Sequence, residues 1–263
     1  MKIVCEDNDV VQRLLECEKN LEECNNESKS WVDSLRELSV IKNAFVTQEG
    51  DRLEGKTILD IGTDCVKPLY IALKFEPDKI IGINEGLLSI GSDIETQSKL
   101  LTKTKLSFYD CSFFDEVSFR KILEKEGIDE FDFILLSKTV HHLRTGKCVN
   151  EEHKKNGKCP EDEKCCKYAF EPEMLFEKLL RFGKRIIIYE FFDPNDTDDD
   201  KIRGRGGYFT TRELKEALVY LSEKYRIRFI RPQEFSLDKT RLNDVDLMLR
   251  EVDTICFYVE ERG

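Results

Sequence analysis

From residue 56 onward, short apolar runs alternate with stretches of helical periodicity, and this alternation limits the fold more than any other feature. Seven segments are predicted to be strands, at about 57–62, 79–84, 105–109, 131–136, 185–190, 226–230 and 254–260. Helical patterns lie at about 66–75, 87–101, 116–126, 172–182 and 212–224. Strands that alternate with such helices are typical of a doubly wound, mostly parallel sheet. We therefore predict an α/β fold with a seven-stranded sheet.

The first fifty residues precede this alternation and have a different pattern. Apolar residues recur there at spacings of four and three, as on one face of a helix: Val10, Leu14, Cys17, Leu21, Cys24, Trp31, Leu35 and Leu38. We predict a helical extension over 1–50 and one domain over 51–263. The simpler interpretation is that the extension packs on this domain, and the alternative is that it forms the seam of a homodimer.

The charge balance argues against some classes of partner. The 263 residues include 42 basic and 53 acidic side chains, a net charge of −11, which disfavours broad binding to nucleic acid or to an anionic membrane. The sequence shows neither an apolar leader nor a long apolar run, so we expect a cytoplasmic protein without a membrane anchor. Charged residues make up 36% of the chain. Such a charged, interspersed surface is common in proteins of thermophiles.

The loop that leaves the first strand is the first place to look for a ligand. In open α/β sheets, ligands bind outside the carboxyl ends of the strands, where the strand order reverses. Asp60 places a carboxylate at the strand end, and Gly62 lets the backbone approach a ligand closely. Only one glycine of the dinucleotide fingerprint is present, and Asp64 would repel a pyrophosphate. The loop therefore favours a cationic ligand.

In order and spacing, these segments resemble the class I S-adenosylmethionine-dependent methyltransferases, a family with a Rossmann-like fold. Asp60-Ile61-Gly62 resembles the family's glycine-rich motif, and Asn84-Glu85 stands where the family places an acid on the ribose hydroxyls. Asp110-Cys111 resembles the loop whose Asp meets the adenine amine. The segment 131–143, which ends in His-His-Leu, looks like the family's fourth-strand motif. The resemblance covers roughly residues 55–260.

The resemblance implies a methyltransferase that uses S-adenosylmethionine and acts on a small-molecule or RNA acceptor. The cofactor-binding residues that it implies are Asp60, Gly62, Asp64, Asn84, Glu85, Asp110, Cys111, Ser137 and Thr139. His142 is the candidate general base, which the reaction needs only if the acceptor holds its proton tightly. One alternative is a non-catalytic binding module with the same fold. Another is a nicotinamide-dependent oxidoreductase, which the missing glycines disfavour.

A cysteine-rich insertion at about 146–168 follows the fourth strand. It contains Cys148, Cys159, Cys165 and Cys166, together with His153, in a stretch that is otherwise too polar to build a core. We predict a lid that is stapled by disulfides, with free thiols and a zinc site as the alternatives. The insertion has no C-x-x-C pair, and adjacent cysteines are awkward as joint ligands, so no metal is predicted.

Overall fold

The protein is described here by a computed structural model. The residues that the structure describes are 37–38, 40–46, 50, 52–63, 66–84, 102–137, 139, 172–191, 211–229, 235–237 and 254–261. The chain divides into two compact units, Met1–Ser137 and Lys138–Gly263. Among the described residues, no helix combines the length and the apolar character that a membrane crossing needs.

The first unit is built on four parallel strands. They are β1 (Thr57–Ile61), β2 (Lys79–Asn84), β3 (Lys105–Asp110) and β4 (Phe133–Ser137), in the order β3-β2-β1-β4. The residues of β4 are buried throughout, those of β1 are buried after Thr57, and those of β2 are buried between Lys79 and Asn84. The chain moves outward from β1 to β3 and then returns to β4 on the other side of β1. The strand order therefore reverses at β1.

Two helices with described bounds connect these strands, α1 (Val66–Phe75) between β1 and β2, and α2 (Glu116–Glu126) between β3 and β4. Asp115 caps α2 by accepting a hydrogen bond from the Ser118 backbone N–H, and Gly127 ends it in the left-handed conformation at φ 65°. Crossovers between parallel strands are almost always right-handed. Because the strand order reverses at β1, right-handed crossovers require the connecting helices to lie on opposite faces of the sheet. This is the doubly wound arrangement.

The described end of the N-terminal extension belongs to the core of the first unit. Residues 37–38 and 40–46 are helical, and their buried apolar side chains are Leu38, Val40, Ile41, Ala44 and Phe45. The Phe45 ring lies 5.5 Å from that of Phe75 on α1 and 5.3 Å, edge to face, from that of Phe133 on β4. The described residues of the extension therefore pack within the first unit, and the division into an extension and one domain stays a prediction. The homodimer seam stays a prediction.

The second unit contains four strands and two helices among its described residues. The helices are α3 (Pro172–Leu180) and α4 (Thr211–Lys224), and the strands are β5 (Arg185–Phe191), β6 (Tyr225–Phe229), β7 (Phe235–Leu237) and β8 (Thr254–Glu261). Within this unit the strand order is β5-β8-β6-β7. Strand β8 pairs antiparallel with both β5 and β6, so β5 and β6 run in the same direction.

The predicted α/β class and its mostly parallel sheet are confirmed. The strand count of seven needs a correction, because the described residues contain eight strands. The additional strand is β7, which spans only three residues and pairs antiparallel with β6. A run of three residues is too short to show the alternation of apolar and polar side chains by which strands are predicted.

Gly82, in the middle of β2, is required by close packing. A Cβ atom at this position would lie 2.7 Å from Cδ1 of Phe108 and 2.9 Å from Cγ2 of Thr63. We expect Gly82→Ala to lower the free energy of unfolding by about 1–3 kcal/mol through overpacking, as measured by urea denaturation. Adding Phe108→Leu to that variant should recover part of the loss. If Gly82→Ala were as stable as the wild type, the close packing of Phe108 and Thr63 against Gly82 would be contradicted.

Candidate functional site

The register of the first unit aligns the carboxyl ends of its four strands. Ile61 pairs with Ile83 on one side and with Leu136 on the other, and Asn84 pairs with Asp110. Four of the predicted site residues consequently stand at one edge of the sheet: Asp60, Asn84, Asp110 and Ser137. This edge includes the point where the strand order reverses, which is where open α/β sheets bind ligands.

The loop after β1 is held against the end of β2 by three hydrogen bonds. The carbonyl oxygen of Ile83 accepts from the backbone N–H groups of Gly62, at 2.8 Å, and of Thr63, at 3.2 Å. The side-chain amide of Asn84 donates to the Thr63 carbonyl at 3.0 Å. Gly62 has a φ of 72°, which favours glycine over residues with a side chain. The glycine and Asn84 therefore shape this loop, a role of Asn84 that its sequence position did not indicate.

Asp60 is fully buried near the end of β1. In the register it lies between Gly82 of β2 and Leu135 of β4, at the centre of the four strands. Burying a carboxyl group away from water costs free energy. Buried ionisable groups are concentrated at functional sites. The cofactor-binding role of Asp60 stays a prediction.

Asp110 and Cys111 follow the end of β3 and differ in exposure. The Asp110 side chain is exposed, whereas Cys111 is 8% exposed and its thiol donates to the Ser112 carbonyl at 3.3 Å. An exposed carboxylate at a strand end is accessible to a ligand. The Cys111 thiol, in contrast, is engaged by its own loop.

Ser137, the last residue of β4, takes part in a buried polar cluster that the sequence did not predict. Its hydroxyl donates a hydrogen bond to the carboxylate of Glu37. Glu37 belongs to the helical residues 37–38 and 40–46, which we call the N-terminal helical segment. The ammonium group of Lys67, in the first turn of α1, lies 3.6 Å from the same carboxylate. The side chains of Lys67 and Glu37 are only 7% and 9% exposed. We call these three residues the Glu37 cluster.

The other predicted residues belong to the second unit or lie outside the described residues. Thr139 is 6% exposed, but it belongs to the second unit. The remaining predicted positions lie outside the described residues and stay predictions: Asp64, Glu85, His142, Cys148, Cys159, Cys165 and Cys166.

A second charged cluster centres on Glu126 at the end of α2. Its carboxylate accepts hydrogen bonds from Lys105 Nζ at 2.7 Å and from the Tyr109 hydroxyl at 2.5 Å. Lys79 Nζ lies 3.2 Å from the carboxylate and also donates to the Glu126 carbonyl at 2.6 Å. Burial disfavours the ionised form, but the hydrogen bonds from Lys105, Tyr109 and Lys79 outweigh it and lower the pKa of Glu126 to about 2. Because Lys79 and Lys105 begin β2 and β3, this cluster joins α2 to the opposite end of the sheet.

Comparisons with known proteins give a likeness of fold. No protein-family model and no curated protein matches the sequence. Among solved structures, a proposed O-methyltransferase from Nostoc punctiforme PCC 73102 matches with a TM-score of 0.49 and 11% identity, over 94% of this chain and 60% of that one. This chain thus spans less than two thirds of the length of that protein.

Two further matches were solved with a ligand. Geranyl diphosphate C-methyltransferase from Streptomyces coelicolor, in complex with S-adenosyl-L-homocysteine, matches with a TM-score of 0.48 and 11% identity, over 91% of this chain and 86% of that one. An O-methyltransferase from Bacillus cereus in complex with SAH matches with a TM-score of 0.47 and 12% identity, over 99% and 94%. These likenesses concern the fold alone.

Proposed function

We propose that this chain is an S-adenosylmethionine-dependent methyltransferase with a small-molecule or RNA acceptor. The observation that carries the proposal is the alignment of Asp60, Asn84, Asp110 and Ser137 at the carboxyl ends of four adjacent parallel strands. They occur there in the order that the sequence resemblance implies. A cytoplasmic location belongs to the same proposal.

The polar groups at this edge fit the cofactor better than they fit a dinucleotide. Asp60 and Asp110 supply carboxylates, which accept hydrogen bonds from hydroxyl and amine groups such as those of ribose and adenine. A pyrophosphate would instead need several free backbone N–H groups, and those of Gly62 and Thr63 already donate to Ile83. We therefore propose that Asp60 and Asp110 hold S-adenosylmethionine, with Asp64, Asn84 and Glu85 beside them.

The work of the protein in this reaction is binding and orientation. When bound, the cofactor supplies a methyl group that its sulfonium already activates. The chain's own residues place the acceptor in line with that methyl group and exclude water. Gly62 permits close approach of the backbone, and we propose that Ser137 and Thr139 line the space beside the cofactor. If the acceptor holds its proton tightly, His142 is the proposed base.

A thermal-shift experiment tests the proposal. S-adenosylmethionine and S-adenosylhomocysteine should each raise the melting temperature, whereas NAD should not. At a hundredfold excess over the dissociation constant, a ligand that binds only the folded state stabilises it by about 2.7 kcal/mol, enough for a clear shift. Stabilisation by NAD alone would overturn the assignment in favour of an oxidoreductase.

A further inference from the structure

The Glu37 cluster connects the N-terminal helical segment to the edge of the first unit where the carboxyl ends of β1 to β4 lie. We call this the ligand edge. Ser137 ends β4, Lys67 lies in the first turn after the β1 loop, and Glu37 contacts both. The contact between Glu37 and Ser137 joins residues 100 positions apart in the chain. A side chain from outside the β-α alternation thereby reaches the edge where Asp60 also lies.

Docking of the N-terminal segment does not explain a charged residue at this position. Five apolar side chains of the segment are already buried, and Phe45 packs against Phe75 and Phe133. Burying an ion pair carries a desolvation penalty that its own attraction often only balances, so an apolar pair would serve docking at least as well. The presence of both charges at the ligand edge indicates a use besides attachment.

We propose that Glu37 is a positioning residue of the ligand site, so that the N-terminal helical segment is a working part of that site. The Glu37 carboxylate fixes the direction of the Ser137 hydroxyl and the place of the Lys67 ammonium at the strand ends. A ligand that enters this edge then meets polar groups that are already oriented, which lowers the cost of ordering them on binding. This inference rests on the proposed function, because its probe is S-adenosylhomocysteine.

The test compares ligand affinity with stability in two variants. Glu37→Gln keeps an oxygen that accepts from Ser137 but removes the charge opposite Lys67. We expect isothermal titration calorimetry to show binding of S-adenosylhomocysteine weakened about tenfold, the order of magnitude expected when a long side chain such as that of Lys67 must be ordered on binding. Asp132→Asn is the matched control, since Asp132 accepts from the Thr57 N–H at the opposite end of the sheet. It should lower the melting temperature without changing the affinity.

A charge swap separates positioning from simple attachment. The double variant Glu37→Lys with Lys67→Glu retains an ion pair but exchanges the two charges. We expect it to recover stability relative to Glu37→Lys alone while its affinity for S-adenosylhomocysteine stays low. Wild-type affinity in the double variant, or in folded Glu37→Gln, would overturn the positioning role. The ion pair between Glu37 and Lys67 would then serve only to attach the N-terminal helical segment. If the wild-type protein does not bind the probe, the proposed function fails first, and this inference fails with it.

Discussion

Replacing Glu126 with Gln should lower the free energy of unfolding at pH 7 by about 3 kcal/mol. The pKa of Glu126 falls from its ordinary value of 4.5 to about 2, and each pKa unit corresponds to about 1.4 kcal/mol of preference for the ionised form in the folded state. The Glu126 side chain is only 3% exposed, so solvent screens its carboxylate little, although the Lys105 side chain is 57% exposed. Glutamine preserves the size but leaves Lys79 and Lys105 without their counter-charge. Urea denaturation of both proteins measures the difference.

The loss of stability in Glu126→Gln should become smaller as the pH falls. Because folding lowers the pKa of Glu126, the stabilisation is fully present above about pH 4.5 and disappears as the pH falls towards 2. The wild-type and Glu126→Gln proteins should therefore converge in stability at the acid end of this window. Glu124→Gln, on an exposed side chain of the same helix, is the control and should change little. A constant difference between pH 7 and pH 3 would show that the effect is not electrostatic.

Replacing Asp60 should weaken the binding of S-adenosylhomocysteine by about 1–3 kcal/mol, or roughly ten- to a hundredfold. Asp60 is fully buried at the centre of the strand ends, where its carboxylate is proposed to accept hydrogen bonds from the cofactor. Asp60→Ala removes the whole group, and Asp60→Asn removes the charge while it preserves the volume. Calorimetry on the folded variants gives the affinity directly.

The control for Asp60 is a carboxylate at the other end of the sheet. Asp78 is exposed, and its Oδ1 accepts from the Gly55 N–H at 2.8 Å. Asp78→Asn removes an equal charge from the protein far from the proposed site, so it should bind the ligand as the wild type does. Equal affinities in Asp60→Asn, Asp60→Ala and the wild type would refute the placement of the cofactor beside β1.

Local pattern was enough to predict most of the strands and helices. The helix predicted at 116–126 has the same bounds in the structure because Asp115 caps its start and Gly127 stops it, and both signals are visible in the sequence. The polar residues at the strand ends were predictable for a similar reason, since alternating strands and helices imply a parallel sheet whose carboxyl ends share one edge.

The two charged clusters were not predictable, because they depend on contacts between distant parts of the chain. Glu126 meets Lys105 across 21 positions, and Lys79 meets the Glu126 carbonyl across 47. Nothing in the spacing of Glu37 within its helical pattern indicates Ser137 as its partner. Such contacts are set by how helices pack on the sheet, which periodicity within one segment does not specify.

The position of β8 sets an order on the assembly of the second unit. Of the eight described strands, β8 is the last to leave the ribosome, yet it pairs with β5 on one side and with β6 on the other. Before β8 is made, the edges of β5 and β6 with which it will pair lack this partner strand. Unpaired strand edges can pair with other chains. Strands β1 to β4, in contrast, are complete once Ser137 has been made. During synthesis, the strands of the first unit can therefore pair with one another before those of the second unit do.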